Sequence, residues 1–378
     1  MKPNNKKIIT KNIDLSLLFA IILLSVLGTV MVFSAGAPYA EARYDDSSYF
    51  MKKQILWLTL GFLIMVPVSK IPPGIYKKLT PYLYAVTLGL LILVLVVGFV
   101  GNGAKRWISI GPVTIQPSEI AKITIIMMLA YYFSKYESNA INSKKKSDVF
   151  KYGTLFPALI FVIPIILVML QKHLSCIIIL GVIGLCMTVA AGVNLRYISA
   201  FCTLGASGIA MLALFTDYTK ERITVWRNPE AYKLTGGWQT LQGLMAIGSG
   251  GIFGVGLGKS VMKHCYVSEP ANDMIFAILC EETGLLGAVV TISLFAFLIL
   301  RGVTISLKTN DVYSRLVAFG ISAKMAIQVL LNVAVVTNSI PNTGISLPFF
   351  SYGGSSLLMI FFEMGILLSI SRNAKITK

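Results

Sequence analysis

Residues 15–34 read LSLLFAIILLSVLGTVMVFS, twenty positions without a single charge. A helix rises about 1.5 Å per residue, so this stretch covers the ~30 Å hydrocarbon core of a bilayer. It is too long for a secretory signal peptide and lacks a small-residue cleavage site, so it reads as a retained span. The rest of the chain is built in the same way. Of its 378 residues 56% are hydrophobic and only 13% are charged, with a mean hydropathy of +0.77. A soluble domain cannot hide that much apolar surface in its core. The sequence therefore specifies an all-α polytopic membrane protein.

Apolar stretches of helix-spanning length recur approximately at 14–34, 54–70, 79–100, 117–134, 154–171, 174–191, 194–216, 273–300, 316–337 and 351–371. Ten spans put both termini on one side. If that side is cytoplasmic, the inner segments hold 19 Lys and Arg residues. The short outer loops hold six: Arg43, Lys52, Lys53, Lys105, Arg106 and Lys172. This asymmetry is the one the positive-inside rule expects, and it predicts N-in and C-in. The formal charge of +17 is thus accounted for by orientation and calls for no nucleic acid. Five cysteines, an odd number, and two separated histidines, His173 and His264, indicate neither a disulfide framework nor a metal ligand set.

We read residues 1–378 as a single transmembrane domain with one large extracellular loop at 217–272. That loop is no passive linker, because YKLTGGWQTLQGLMAIGSGGIFGVGLGKSVMKH (232–264) mixes apolar, Gly-rich and basic residues. Such a segment suits an interfacial or re-entrant helix and places the chemistry on the outer side. The run GSGGIFGVGLG (248–258) has no strand before it or βαβ context, so it is not a dinucleotide loop. Tight glycine turns fit it better, although exposed amides in such turns could still contact a pyrophosphate.

Three further stretches carry polar groups where lipid penalises them. In GAKRWISIGPVTIQPSEIAK (103–122), Lys105, Arg106 and Trp107 occupy an outer loop, and Glu119 and Lys122 share a helix face three residues apart. The last two can neutralise one another as a structural ion pair. Lys105 and Arg106 either bind a headgroup or pyrophosphate or simply snorkel, and Trp107 either anchors at the interface or lines a groove. In NSIPNTGISLPFFSYGGSS (338–356), prolines and glycines interrupt the last two spans, and polar residues including Asn342, Ser351 and Ser356 indicate a lined cavity. Finally, SEPANDMIFAILCEETG (268–284) places Asp273 at the mouth of an apolar run that also carries Glu281 and Glu282. Asp273 either caps the helix that opens at Met274 or does chemistry at the outer face. For Glu281 and Glu282, pairing with Lys324 or with another span is the expected outcome.

Together these stretches resemble the SEDS family of cell-wall polymerases, the FtsW, RodA and SpoVE group. The resemblance covers nearly the whole chain and leans toward FtsW and SpoVE. It implies a ten-span glycosyltransferase of the cytoplasmic membrane that polymerises lipid II with its active site facing outward, beside a class B penicillin-binding protein and other divisome or elongation proteins. It places the catalytic acid on Asp273. The family's usual Glu-Ala-His-Thr-Asp-Phe pattern is here Glu269, Pro270, Ala271, Asn272, Asp273, Met274, so the His and Thr neighbours are missing. A second departure puts His173 where the family more often carries Asp.

The implied reaction sends the 4-hydroxyl of one sugar onto the anomeric carbon of a lipid-linked donor, inverting it and releasing undecaprenyl pyrophosphate. A hydroxyl is a poor nucleophile, and Asp273 serves as its base if desolvation raises its pKa. The leaving pyrophosphate calls for positive charge, offered by Lys105, Arg106, Arg222, Lys259 and Lys263, or for a divalent cation such as Mg or Mn. Trp107, Glu269 and Ser351 complete the expected substrate contacts. Two rival readings remain at this point, a lipid II flippase and a non-catalytic scaffold for the transpeptidase. The basic loop that ends at Asp273 favours the enzyme, since a flippase needs no base confined to one face.

Overall fold

The computed structural model describes residues 13–101, 104–111, 113–141, 146–193, 217–264 and 266–374. In chain order the elements are α1 (Leu15–Tyr44), α2 (Tyr49–Lys70), α3 (Pro73–Val97), strands β1 (Phe99–Gly101), β2 (Ala104–Ile110) and β3 (Val113–Ile115), α4 (Pro117–Ile141), and α5 (Lys146–Phe150). A π turn then leads into α6 (Phe156–Leu170), followed by α7 (Leu174–Ala190). After residues 194–216 come α8 (Asp217–Arg227), a 3-10 turn, α9 (Trp238–Ser249), α10 (Ile275–Leu307), α11 (Val312–Val336) and α12 (Gly354–Ser371). Among the described residues, seven helices are long and apolar enough to cross a membrane. The fold is a polytopic helical membrane protein, as expected. The span predicted at 194–216 lies outside the described residues.

The helices are apolar on every side, and packing divides their faces. On α1, Leu15, Phe19, Ile22, Val26, Val30 and Phe33 recur at intervals of three and four and are exposed, which forms one lipid-facing stripe. Leu17, Ile21, Leu24 and Met31 on the other side are buried. Small residues set the closest helix approaches: a Cβ at Gly61 of α2 would strike the Phe361 ring of α12, and one at Gly365 of α12 would meet Val68 and Met65 of α2. At one end, Asp14 caps α1 by accepting from the Leu17 amide at 3.0 Å and also accepts from Arg301 of α10 at 2.8 Å.

The loop that carries Lys105, Arg106 and Trp107 contains three short strands, β1, β2 and β3, paired antiparallel in that order. Two sequence expectations are corrected. The span placed at 273–300 runs to Leu307 and is broken at Gly284, whose φ of 66° and ψ of −168° no helix contains. Glu281 and Glu282 do not pair with Lys324. Its partner is Glu363, at 2.8 Å, an acid in the middle of the last span. Glu282 instead meets Lys263 at 2.9 Å, and Glu281 accepts from the Ser260 hydroxyl and from the Val261 amide at 2.9 Å.

The break at Gly284 explains those two acids. The Gly-rich loop docks its backbone on the interrupted helix: Val255 and Gly256 N–H donate to the carbonyls of Glu281 and Glu282 at 3.0 Å, and Leu285 and Leu286 N–H donate to Gly251 and Ile252. A Cβ at Gly254 would run into the Glu282 carbonyl. Only glycines allow so close an approach of two backbones with positive φ. The glycine-rich stretch from Gly251 to Gly256 is therefore folded onto α10.

Candidate active site

Asp273 ends the turn that leads into α10. It is not a helix cap, since the cap position falls on Met274 and no side chain bonds there. Its carboxylate, half-buried, accepts from Gln239 Nε2 at 3.4 and 3.3 Å. Its main-chain carbonyl accepts from Asn332 Nδ2 of α11 at 2.9 Å. Burial foremost, and the neighbouring Glu269 carboxylate after it, push the Asp273 acid up to about 6, while the Gln239 bond and Arg222 pull the other way. The site thus holds a carboxylate whose pKa approaches neutrality.

Next to Asp273, which does not itself line it, lies a cavity of about 570 Å³. The neighbouring Asn272 and the facing Gly344 line that cavity, and a Cβ on Gly344 would sit 3.8 Å from Asp273 Oδ2. The charged lining is Lys53, Arg106, Glu119 and Lys122, three cations to one acid. Trp57, Trp107 and Tyr352 supply aromatic walls, and Ser355 and Ser356 at the start of α12 supply hydroxyls. His173 also lines it and is neutral, because burial and Arg106 push it down to about 3. Such a chamber attracts an anion and offers flat apolar faces to a sugar.

The expected residues fall into two groups. Arg106, Trp107, Glu119 and Lys122 meet in the cavity. Arg106 is steadied from the α6–α7 turn, where it donates to the carbonyls of Gln171 and Lys172. Glu119 and Lys122 form the predicted pair at 2.7 Å, both nearly buried, and Glu119 also accepts from Ser356 at 3.3 Å. Arg222 lines a second cavity of about 260 Å³ with Gln239 and Asn342. Glu269 lines a third, of about 230 Å³, and accepts from Asn272.

Elsewhere the geometry corrects the sequence reading. Lys263 is spent: its three ammonium protons go to Glu282 at 2.9 Å, Gly258 O at 2.7 Å and Ser34 at 3.2 Å. Ser351 is also structural, donating to Asn272 O at 2.6 Å and accepting from Leu347 N–H at 2.7 Å, which ties the 347–351 turn to the Asp273 turn. Lys105 and Lys259 are exposed and line none of these cavities. Sequence reasoning missed Lys53, Trp57, Gln239 and Gln328. The basic pair Lys52 and Lys53 near the start of α2 and the WQ pair that opens α9 were the available signals. Among the described residues no group of three or more His, Cys, Asp or Glu side chains gathers as a metal site.

A multi-pass membrane helix bundle with a cationic, aromatic cavity and a half-buried acid beside it defines the class. Comparison places the chain within it. Residues 15–376 match the family described as Cell cycle protein, FTSW_RODA_SPOVE, and the chain belongs to that family. It is 38% identical over 366 residues to stage V sporulation protein E of Bacillus subtilis, covering 96% of this chain and 98% of that one. It is 35% identical over 368 residues to the probable peptidoglycan glycosyltransferase FtsW of Geobacter sulfurreducens, covering 96% of each. Its fold matches a chain solved in a study of structural coordination of polymerization and crosslinking by a peptidoglycan synthase complex, with a TM-score of 0.79, 26% identity, and 95% and 98% coverage. It also matches the rod shape determining protein RodA of Thermus thermophilus, with a TM-score of 0.70, 25% identity, and 97% and 98% coverage.

Proposed function

We propose that this chain is a peptidoglycan glycosyltransferase that polymerises lipid II at the outer face of the cytoplasmic membrane, with Asp273 as general base. The observation that carries this reading is the half-buried Asp273 carboxylate, raised to about 6 and bonded by the Gln239 amide, beside Asn272 and Gly344, which line a cavity with cationic excess. The acceptor 4-hydroxyl gives its proton to Asp273 as its oxygen bonds to the anomeric carbon of the donor. The bond from that carbon to the pyrophosphate oxygen breaks on the opposite face, so configuration inverts. Arg106, Lys122 and Lys53 offset the charge that develops on undecaprenyl pyrophosphate. The likeness to a chain of a peptidoglycan synthase complex supports a class B penicillin-binding protein as partner.

Base catalysis contributes about 10²–10⁴-fold. Asp273→Asn keeps shape and can still accept from Gln239, but an amide takes no proton near neutral pH. Purified with its transpeptidase and shown to fold and bind normally, the variant should lose at least about a hundredfold in glycan synthesis from labelled lipid II. Near-normal strands from the variant would refute the assignment. Wild type that moves lipid II across liposomes and never polymerises it, where a control polymerase works, would make the chain a transporter instead.

A further inference from the structure

We propose that Gln239 and Asn342 are positioning residues that hold the Asp273 carboxylate in its reactive orientation through a one-way relay of amides starting at the Gly344 backbone N–H. The proposal rests on the reading of Asp273 as the base. Each link of the relay has a fixed polarity. The Gly344 N–H can only donate, and it donates to Asn342 Oδ1 at 3.0 Å. Asn342 must therefore turn its Nδ2 toward Gln239, where it donates to Oε1 at 3.0 Å. That leaves Gln239 Nε2 facing Asp273, to which it donates at 3.3 and 3.4 Å. The ionised carboxylate can only accept, so both ends of the chain agree. Flipping either amide would set two donors or two acceptors face to face.

The surrounding contacts fix the relay in space. Arg222 donates to the Asn342 carbonyl. Asn332 Nδ2 donates to Asp273 O at 2.9 Å and to Ile345 O at 2.7 Å, so one side chain of α11 sets the distance between the two turns. Gly344 adopts a φ of 68°, the left-handed turn that lets its N–H return to the Asn342 side chain. The charged groups acting on Asp273 are Glu269, on its own turn, and Arg222, on α8. The side chains presented by α9, α11 and the 338–353 segment, Gln239, Asn332 and Asn342, do not titrate. The relay favours the anion. Gln239 and Asn342 supply the orientation from the other side of the site.

The test is the pH profile of kcat/KM for glycan synthesis by the complex with its transpeptidase. In Asn342→Asp, Arg222 keeps the new carboxylate ionised. That carboxylate repels Gln239 Oε1 and draws the amide nitrogen toward itself, so Gln239 presents oxygen to Asp273. In Gln239→Glu, two carboxylates must share a proton. Both changes favour protonated Asp273, and the acid limb should move to higher pH by about one unit or more, with much of the rate recovered on the alkaline side. Either variant suffices if the other misfolds. Folded, partner-bound variants that lose rate evenly at every pH, or that leave rate and limb unchanged, overturn the relay. Failure of the base assignment reads differently: Asp273→Asn would then keep its activity, and the relay would fall with it.

Discussion

Lys324 and Glu363 meet at 2.8 Å between α11 and α12, with neither side chain exposed at all. In so apolar a setting the two charges are tolerable only together. Removing one partner of a buried pair costs about 3–5 kcal/mol, whereas replacing both with apolar groups of similar volume is often neutral. Lys324→Met should sharply lower the thermal midpoint of the purified protein, and Lys324→Met with Glu363→Leu should restore most of it. A double variant as unstable as the single one would show that the pair is not the reason.

Glu119 and Lys122 form another buried pair, but they also face the cavity. Glu119→Gln should reduce thermal stability, and Glu119→Lys with Lys122→Glu should recover part of it. Polymerisation should fall in both, because the reversal moves the cation away from its place in the lining. Stability unchanged with activity lost in Glu119→Gln would assign Glu119 to substrate alone.

The docked glycine loop makes a contrast available within five residues. Gly254 and Gly258 share a φ of 79°, but a Cβ at Gly254 meets the Glu282 carbonyl, and one at Gly258 meets nothing within 4 Å. Gly258→Ala should cost about 1 kcal/mol, the left-handed backbone term. Gly254→Ala should cost more than about 2 kcal/mol, because backbone must move as well. Equal midpoints in thermal unfolding would contradict the docking.

The raised acid at Asp273 predicts two pH effects of known sign. A base works deprotonated, so kcat/KM should fall as pH drops through about 6. The folded state holds this proton more tightly than the unfolded chain, whose aspartate titrates near 3.9. The group's unfavourable contribution is absent below the unfolded value, builds as pH rises between the two values and is complete above the folded one. Asp273→Asn should therefore melt higher than wild type at pH 7.5, with the gap closing below pH 5. A variant that melts lower at pH 7.5 would show that the carboxylate stabilises the fold.

Orientation can be checked by thiol labelling in a cysteine-free background. Ser147 and Thr235 are both exposed, the first in α5 and the second in the turn before α9. With the termini inside, a cysteine at Thr235 should react with an impermeant reagent on intact cells, and one at Ser147 should not. The reverse pattern would move Asp273 to the inner leaflet.

The spans were legible because lipid imposes length and apolarity on every crossing, and the Glu119–Lys122 pair because three residues of helix decide it. Asp273 stood out because an acid at the mouth of an apolar run needs a reason. Other features depend on partners distant in sequence. Lys324 finds Glu363, 39 residues away, and Lys263 finds both Glu282 and Ser34. No local pattern separates those matches from the alternatives. Lys53 and Trp57 reach the cavity only because α2 packs against α12. The short strands around Trp107 lack the alternation over several residues that a sequence reading needs. The break at Gly284 was hidden because a glycine inside an apolar run is also compatible with continuous helix.

That break separates two mechanical regimes. From Leu285 onward α10 shows its side chains to lipid, with Leu285, Leu286, Val289 and Val290 all more than half exposed. From Ile275 to Glu282 every residue is buried, and the glycine loop is bonded to the end of that segment. A bilayer that thickens or thins acts on a crossing helix by changing its tilt. Here such a tilt would reach Gly284, where the backbone is no longer a helical rod. The segment that carries Asp273 is clamped by other parts of the protein. A change of tilt would therefore reach the carboxylate proposed as the base only through that break in the backbone.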